Sequence, residues 1–200
     1  MKLDTSYMGL ALKNPIIAGA SPLTASADSI KRLEDAGAAA IIMHSIFEEQ
    51  INHESHEINH FLFKGGESYA EAVGFFPEME LSNLESEHYL KEISALKQSL
   101  SIPLIASLNG VSKGGWINYA RKLEEAGADG LELNITYIPT AIDLDGRTVE
   151  KLYLEALETV LSVVDIPVSI KMNAIFSSPA NMAKQFDQMG AKGLVLFDRP

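Results

Sequence analysis

The sequence predicts an α/β fold, a parallel (β/α)8 TIM barrel with about six of its eight strands present in these 200 residues. Three observations predict it. Short apolar runs alternate with helical patterns along the chain, three of the junctions repeat one design, and polar residues stand at the ends of nearly all the runs. Runs too short for helices suit strands buried on both faces, and strands alternating with helices make βαβ units and a parallel sheet.

The elements follow in order. Strands are expected at about 15–20, 39–43, 103–108, 129–134, 167–172 and 193–197, with helices at about 28–36, 86–99, 113–126, 147–163 and 179–189. The first, third and fifth strands follow Asn14-Pro15, Ile102-Pro103 and Ile166-Pro167. Proline is tolerated there because a strand's first residue needs no ladder donor. The repeated junction is Leu33–Met43 (LEDAGAAAIIM), Leu123–Leu133 (LEEAGADGLEL) and Phe186–Leu196 (FDQMGAKGLVL). In each, an acidic turn ends a helix and a Gly-Ala pair leads into a strand. Gly37, Gly127 and Gly190 suit the left-handed residue just past a helix end, where a Cβ would clash.

A doubly wound open sheet is the main rival. Such a sheet carries a glycine-rich phosphate turn after its first strand, and this chain has Ala20-Ser21-Pro22 there. The polar strand ends are Ser21, His44, Asn109, Asn134, Lys171 and Asp198. An eight-stranded barrel keeps its active site on that rim. Six strands leave such a barrel open, so we expect one incomplete domain over 1–200, cut short or completed by a partner chain. A lid-like insertion over 47–86 is expected after the second strand, with 47–63 partly helical, because a connection that long is usually functional.

Composition narrows the function. A net charge of -11 and a pI near 4.9 argue against nucleic acid and anionic membranes as partners. The absence of cysteine excludes disulfides, thiolate metal sites, iron–sulfur ligands and a thiol nucleophile. The N-terminal MKLDTSYMGLALKNP lacks a signal-peptide core and no run reaches the roughly 18 apolar residues of a membrane span, so a cytoplasmic location is expected. His53, His56 and His60 share a helical face, but the glutamates around them make it a solvated surface; no metal site is expected. Ser112 is the expected N-cap of the helix opening at Lys113-Gly114-Gly115-Trp116.

Four phrases, in order along the chain, resemble the dihydroorotate dehydrogenase family. They are GLALKNPIIAGAS (9–21), Leu81-Ser82-Asn83-Leu84 with Tyr89-Leu90, Glu132-Leu133-Asn134-Ile135-Thr136, and Ile170-Lys171-Met172. The resemblance implies an FMN-dependent oxidoreductase that converts dihydroorotate to orotate, a small-molecule substrate, a homodimer and an electron acceptor on another molecule. It implies that Ala20, Ser21, His44, Asn109, Asn134 and Lys171 hold the flavin. Lys171 would place a cation beside the flavin's N1–C2=O edge and stabilise the anionic reduced form. Asn83, Asn134 and Asp198 would hold substrate. The flavin phosphate would rest on loops after strands seven and eight, beyond the six expected here.

Three positions depart from the family pattern. Tyr137 stands where the family has a Cys or Ser base, His44 where it has Lys, and Asp198 where it has Asn. Tyrosine's ordinary pKa near 10 makes it a poor base at neutral pH without a neighbouring cation. Bland readings stand beside the functional ones: Lys171 paired with Glu132, Asn109 and Asn134 as satisfied core amides, His44 as a packed imidazole, and Tyr137 as a wall residue. Two other functions also fit: a barrel-derived interaction protein without catalysis, and a lyase or aldolase forming a Schiff base at Lys171.

Overall fold

In the computed structural model, residues 2–47, 84–110 and 115–197 are described. The chain opens with an antiparallel hairpin, β1 (Thr5–Tyr7) and β2 (Leu10–Leu12). Six parallel strands follow: β3 (Ile17–Ala18), β4 (Ala40–Phe47), β5 (Leu104–Asn109), β6 (Gly130–Asn134), β7 (Val168–Met172) and β8 (Gly193–Leu196). The described helices are α1 (Ala27–Asp35), α2 (Leu84–Ser99), α3 (Gly115–Glu125), α4 (Gly146–Leu161) and α5 (Pro179–Met189).

The six strands pair in strict chain order, β3-β4-β5-β6-β7-β8, all parallel. A doubly wound sheet reverses its strand order at a switch point, and this one does not. The fold is a partial (β/α)8 barrel. The six expected strands and the five helices expected between them are present, with altered bounds. The first strand is short, only Ile17–Ala18, and β4 extends four residues past its expected end at Met43. Phe47 therefore belongs to β4 and not to a lid; the rest of the expected insertion up to Asn83, the histidine face and Ser112 lie outside the described residues.

The repeated junction has a physical basis. Gly37, Gly127 and Gly190 adopt φ of 106°, 101° and 107°. In each case the glycine N–H and the next N–H reach back to helix carbonyls: Gly37 to Glu34 and Ala38 to Leu33, Gly127 to Glu124 and Ala128 to Leu123, Gly190 to Asp187 and Ala191 to Phe186. That double bond pattern closes a helix and turns the chain back toward the sheet. The acidic residue has a second task. Glu34 accepts from the Ser101 N–H at 2.8 Å, and Glu124 accepts from the N–H groups of Asp165 and Ile166 at 2.9 and 3.0 Å. Each carboxylate thus fixes the loop that leads into a neighbouring strand.

One continuous core lies between sheet and helices. It includes Ile41, Met43 and Ile46 of β4, Leu104, Ala106 and Leu108 of β5, Leu131 and Leu133 of β6, and Val168, Ile170 and Met172 of β7, with Tyr89, Leu157 and Phe186 from the helices. The opposite face of the sheet is closed at its base by the hairpin. Met8 (φ 55°) and Gly9 (φ 81°) form its two-residue turn, where both central residues need positive φ. The backbone strain of Met8 is offset by burial: its side chain packs with Ile42 and Ile105. Small residues make room for the hairpin. A Cβ on Gly193 would lie 2.8 Å from Tyr7 Oη, and one on Gly130 3.1 Å from Met8 Cε.

Candidate active site

Strand periodicity decides which side chains meet above the hairpin. On β5, β6 and β7, Leu104, Leu108, Leu131, Leu133, Val168 and Ile170 point to the helices, so their alternates point to the concave face. Register then arranges those alternates in level rungs. The lower rung is Ser45, Ser107, Glu132, Ser169 and Gly193; the upper is Phe47, Asn109, Asn134, Lys171 and Val195. The structure therefore brings together Asn109, Asn134 and Lys171 on three adjacent strands at one height.

The rungs are polar, yet most of their side chains are buried. Glu132 is 2% exposed, Asn134 8%, Asn109 9%, and Ser107 and Ser169 fully buried. Buried polar groups are costly unless satisfied. Ser45 Oγ and Ser107 Oγ satisfy each other at 2.8 Å. Among the described residues, three buried side-chain polar atoms lack a hydrogen bond of normal geometry: Tyr7 Oη, Ser169 Oγ and Asn134 Oδ1. Ser169 and Asn134 belong to the rungs, and Tyr7 reaches the lower rung from the hairpin beside Gly193. Burial pushes the Tyr7 phenol above its ordinary pKa; the facing Ser169 hydroxyl pulls it down, and the Glu132 charge adds an upward push.

The other expected site residues take different places. Ala20 packs against the concave cluster of Met8, Ile42 and Ile105. Ser21 is bound into the turn after β3, where its N–H donates to Thr24 Oγ1 at 3.1 Å and its carbonyl accepts from that hydroxyl at 3.0 Å. His44 stands at a register shift in β4, between Ile42 opposite Ile105 and Ser45 opposite Ser107. Its Nδ1 lies 3.3 Å from the Thr24 carbonyl, and its ring meets Tyr89 edge-on at 5.1 Å. Register puts Ser45 and Phe47, not His44, in the rungs. Tyr137 packs against the helix-side core, and its N–H donates to Tyr153 Oη at 3.2 Å. Asn83 and Asp198 lie outside the described residues.

A cleft of about 320 Å³ lined by Ile16, Ala18, Ser21, Thr24, Leu33 and Ala36 is separate from the rungs. No group of acidic residues and histidines suited to a metal occurs among the described residues. No described helix is long and apolar enough to cross a membrane. Apart from Glu132, the lower rung was the part sequence reasoning missed. Its signal was a polar residue two positions before each strand-end residue: Ser107 before Asn109, Glu132 before Asn134, Ser169 before Lys171.

The sequence comparisons agree on one group. A catalytic subunit of dihydroorotate dehydrogenase B (NAD(+)) from Thermoplasma acidophilum is 27% identical over 194 residues, covering 96% of this chain and 61% of the relative. The catalytic subunit of the same name from Methanothermobacter thermautotrophicus is 28% identical, covering 98% and 61%. That from Methanocella arvoryzae is 30% identical, covering 92% and 58%. The chain resembles dihydroorotate dehydrogenases along nearly its whole length. It spans about three fifths of the length of these curated relatives. No protein-family model matches it.

Proposed function

We propose that this chain forms the flavin-facing part of an enzyme that oxidises dihydroorotate or a related carbonyl compound. One observation carries the reading: Asn109, Asn134 and Lys171 stand level on adjacent strands, and Asn134 Oδ1 is buried without a hydrogen-bond donor. The pyrimidine edge of a flavin offers one ring N–H between two carbonyl oxygens. An uncommitted amide oxygen suits that N–H, while the Asn109 amide and the Lys171 ammonium suit the oxygens. FMN fits this donor set and, when bound, accepts the two electrons removed from a saturated C–C bond.

The residues themselves would bind, orient and exclude water. Lys171 holds a positive charge above a lower rung that carries the buried Glu132, and beside a flavin that charge would stabilise accumulating negative charge without solvent reorganisation. Ala20 and Ser21 would border the ring from the segment after β3. The chain has no cysteine for an iron–sulfur cluster. The electrons would leave to another subunit or molecule, as the relatives' designation as catalytic subunits suggests. Substrate contact by Asn83 and Asp198, proton transfer by Tyr137 and flavin contact by His44 belong to the same proposal.

The test is a spectrum. The intact protein should carry or take up FMN, and dihydroorotate added without oxygen should bleach the flavin band. Lys171→Ala should weaken FMN binding by roughly tenfold, about the contribution of one charge-assisted hydrogen bond. A protein that neither carries nor takes up FMN ends the reading. One that binds FMN but is bleached by no dihydropyrimidine keeps the cofactor and loses the substrate.

A further inference from the structure

Between Ile42 and Ser45, β4 carries one residue more than β5. Without it, His44 would sit opposite Ser107 and Ile46 opposite Asn109. A slip of one residue exchanges the two faces of a strand. The extra residue sends Ile46, 6% exposed, to the helix-side core and turns Ser45 and Phe47 to the concave face. Bulges next to active sites often re-aim side chains in this way.

A bulge also breaks the ladder and leaves backbone groups without partners. Here a side chain from α2 fills the break. The Ser107 N–H donates to Tyr89 Oη at 3.3 Å, and Tyr89 Oη donates to the His44 carbonyl at 2.8 Å. One hydroxyl thus bridges the strands where no backbone pair forms. Tyr89 is 3% exposed and its ring lies edge-on to His44 at 5.1 Å.

We infer that Tyr89 is a positioning residue, whose hydroxyl substitutes for the missing rung between β4 and β5 and so fixes which β4 side chains face the site. Ser45, held by Ser107 at 2.8 Å, and Phe47, level with Asn109, are the side chains it places. Its effect on the bound cofactor rests on the flavin reading above; its effect on the strand pair does not.

Tyr89→Phe keeps the ring and removes only the bridge. Amide exchange in the wild-type protein should show Ser107 protected like its neighbours Ala106 and Leu108. In Tyr89→Phe, exchange at Ser107 should quicken by roughly tenfold or more while Ala106 and Leu108 stay slow, as expected for one lost hydrogen bond in a folded strand. The visible circular dichroism of FMN at saturation should change as well, because Ser45 and Phe47 are no longer fixed. An unprotected Ser107 in the wild type, or uniform quickening across β5 in the variant, overturns the inference. An unchanged flavin spectrum in FMN-loaded Tyr89→Phe overturns its functional half. If the wild type binds no FMN, the proposed function fails, and the exchange data still decide the role of Tyr89.

Discussion

The two faces of the parallel sheet are built on opposite rules. The helix side is apolar throughout: Leu104, Ala106, Leu108, Leu131, Leu133, Val168 and Ile170 meet Tyr89, Leu157 and Phe186. The concave side has an apolar base of Met8, Ile42 and Ile105, then two rungs in which serines, asparagines, a glutamate and a lysine replace aliphatic side chains. One face supplies stability through burial and packing. The other accepts buried polar atoms without full pairing, a cost that proteins tolerate where a ligand is to be met. Fold and function are thus separated by the alternation of single residues along a strand.

Neighbours on one strand test this contrast most sharply. Leu133→Ala, on the helix side and fully buried, should cost about 2–5 kcal/mol in chemical denaturation. Equal stability of wild type and variant would break the comparison. The next largest effect is expected where the hairpin meets the sheet. Gly193→Ala pushes a methyl group to 2.8 Å from Tyr7 Oη and should cost about 1–3 kcal/mol through overpacking. Tyr7→Ala in the same background should recover part of that loss.

Asn134→Leu should change stability by less than about 1 kcal/mol, because it removes an unpaired buried acceptor. The same variant should lose most of its FMN affinity, measured by fluorescence titration. A large loss of stability would mean that Asn134 is a structural amide. The smallest effect is one of pH. Burial raises the Tyr7 phenol above its ordinary value near 10, so the folded protein keeps a proton that the unfolded chain releases. Its stabilising contribution is complete below pH 10 and is lost as pH rises toward the folded value. Tyr7→Phe should flatten the alkaline fall in stability and leave neutral stability nearly unchanged. Tyr89, raised for the same chief reason, should retain the rest of the slope.

Much of the fold was legible because its signals are local. Gly37, Gly127 and Gly190 mark helix ends by a backbone requirement that sequence alone reveals. Pro103 and Pro167 mark strand starts, and their carbonyls accept from Ile41 and Leu131 of neighbouring strands. The hairpin is hard to read in the sequence, since three-residue strands carry too little periodicity. The bulge was not legible. AIIMHSIF reads as a nearly uniform apolar run, and its extra residue is defined only against β5. That is why His44 looked like a rung residue while Ser45 and Phe47 went unnoticed. Asn109, Asn134 and Lys171 were found because each stands at or next to the C-terminal end of its strand. Their common height depends on register, which no single strand encodes.

The contact of Tyr7 and Met8 with Gly193 and Gly130 also shapes the order of assembly. The hairpin is made among the first residues, yet part of its seat belongs to the last strand described. Loop closure of that length is slow, and folds dominated by distant pairings fold slowly. During synthesis Met8 can meet Ile42 and Ile105 first, but the side of the hairpin seated against Gly193 stays open until β8 has emerged. Early intermediates should therefore display a hairpin edge that the finished protein covers, and this stage is where aggregation would compete most strongly with folding.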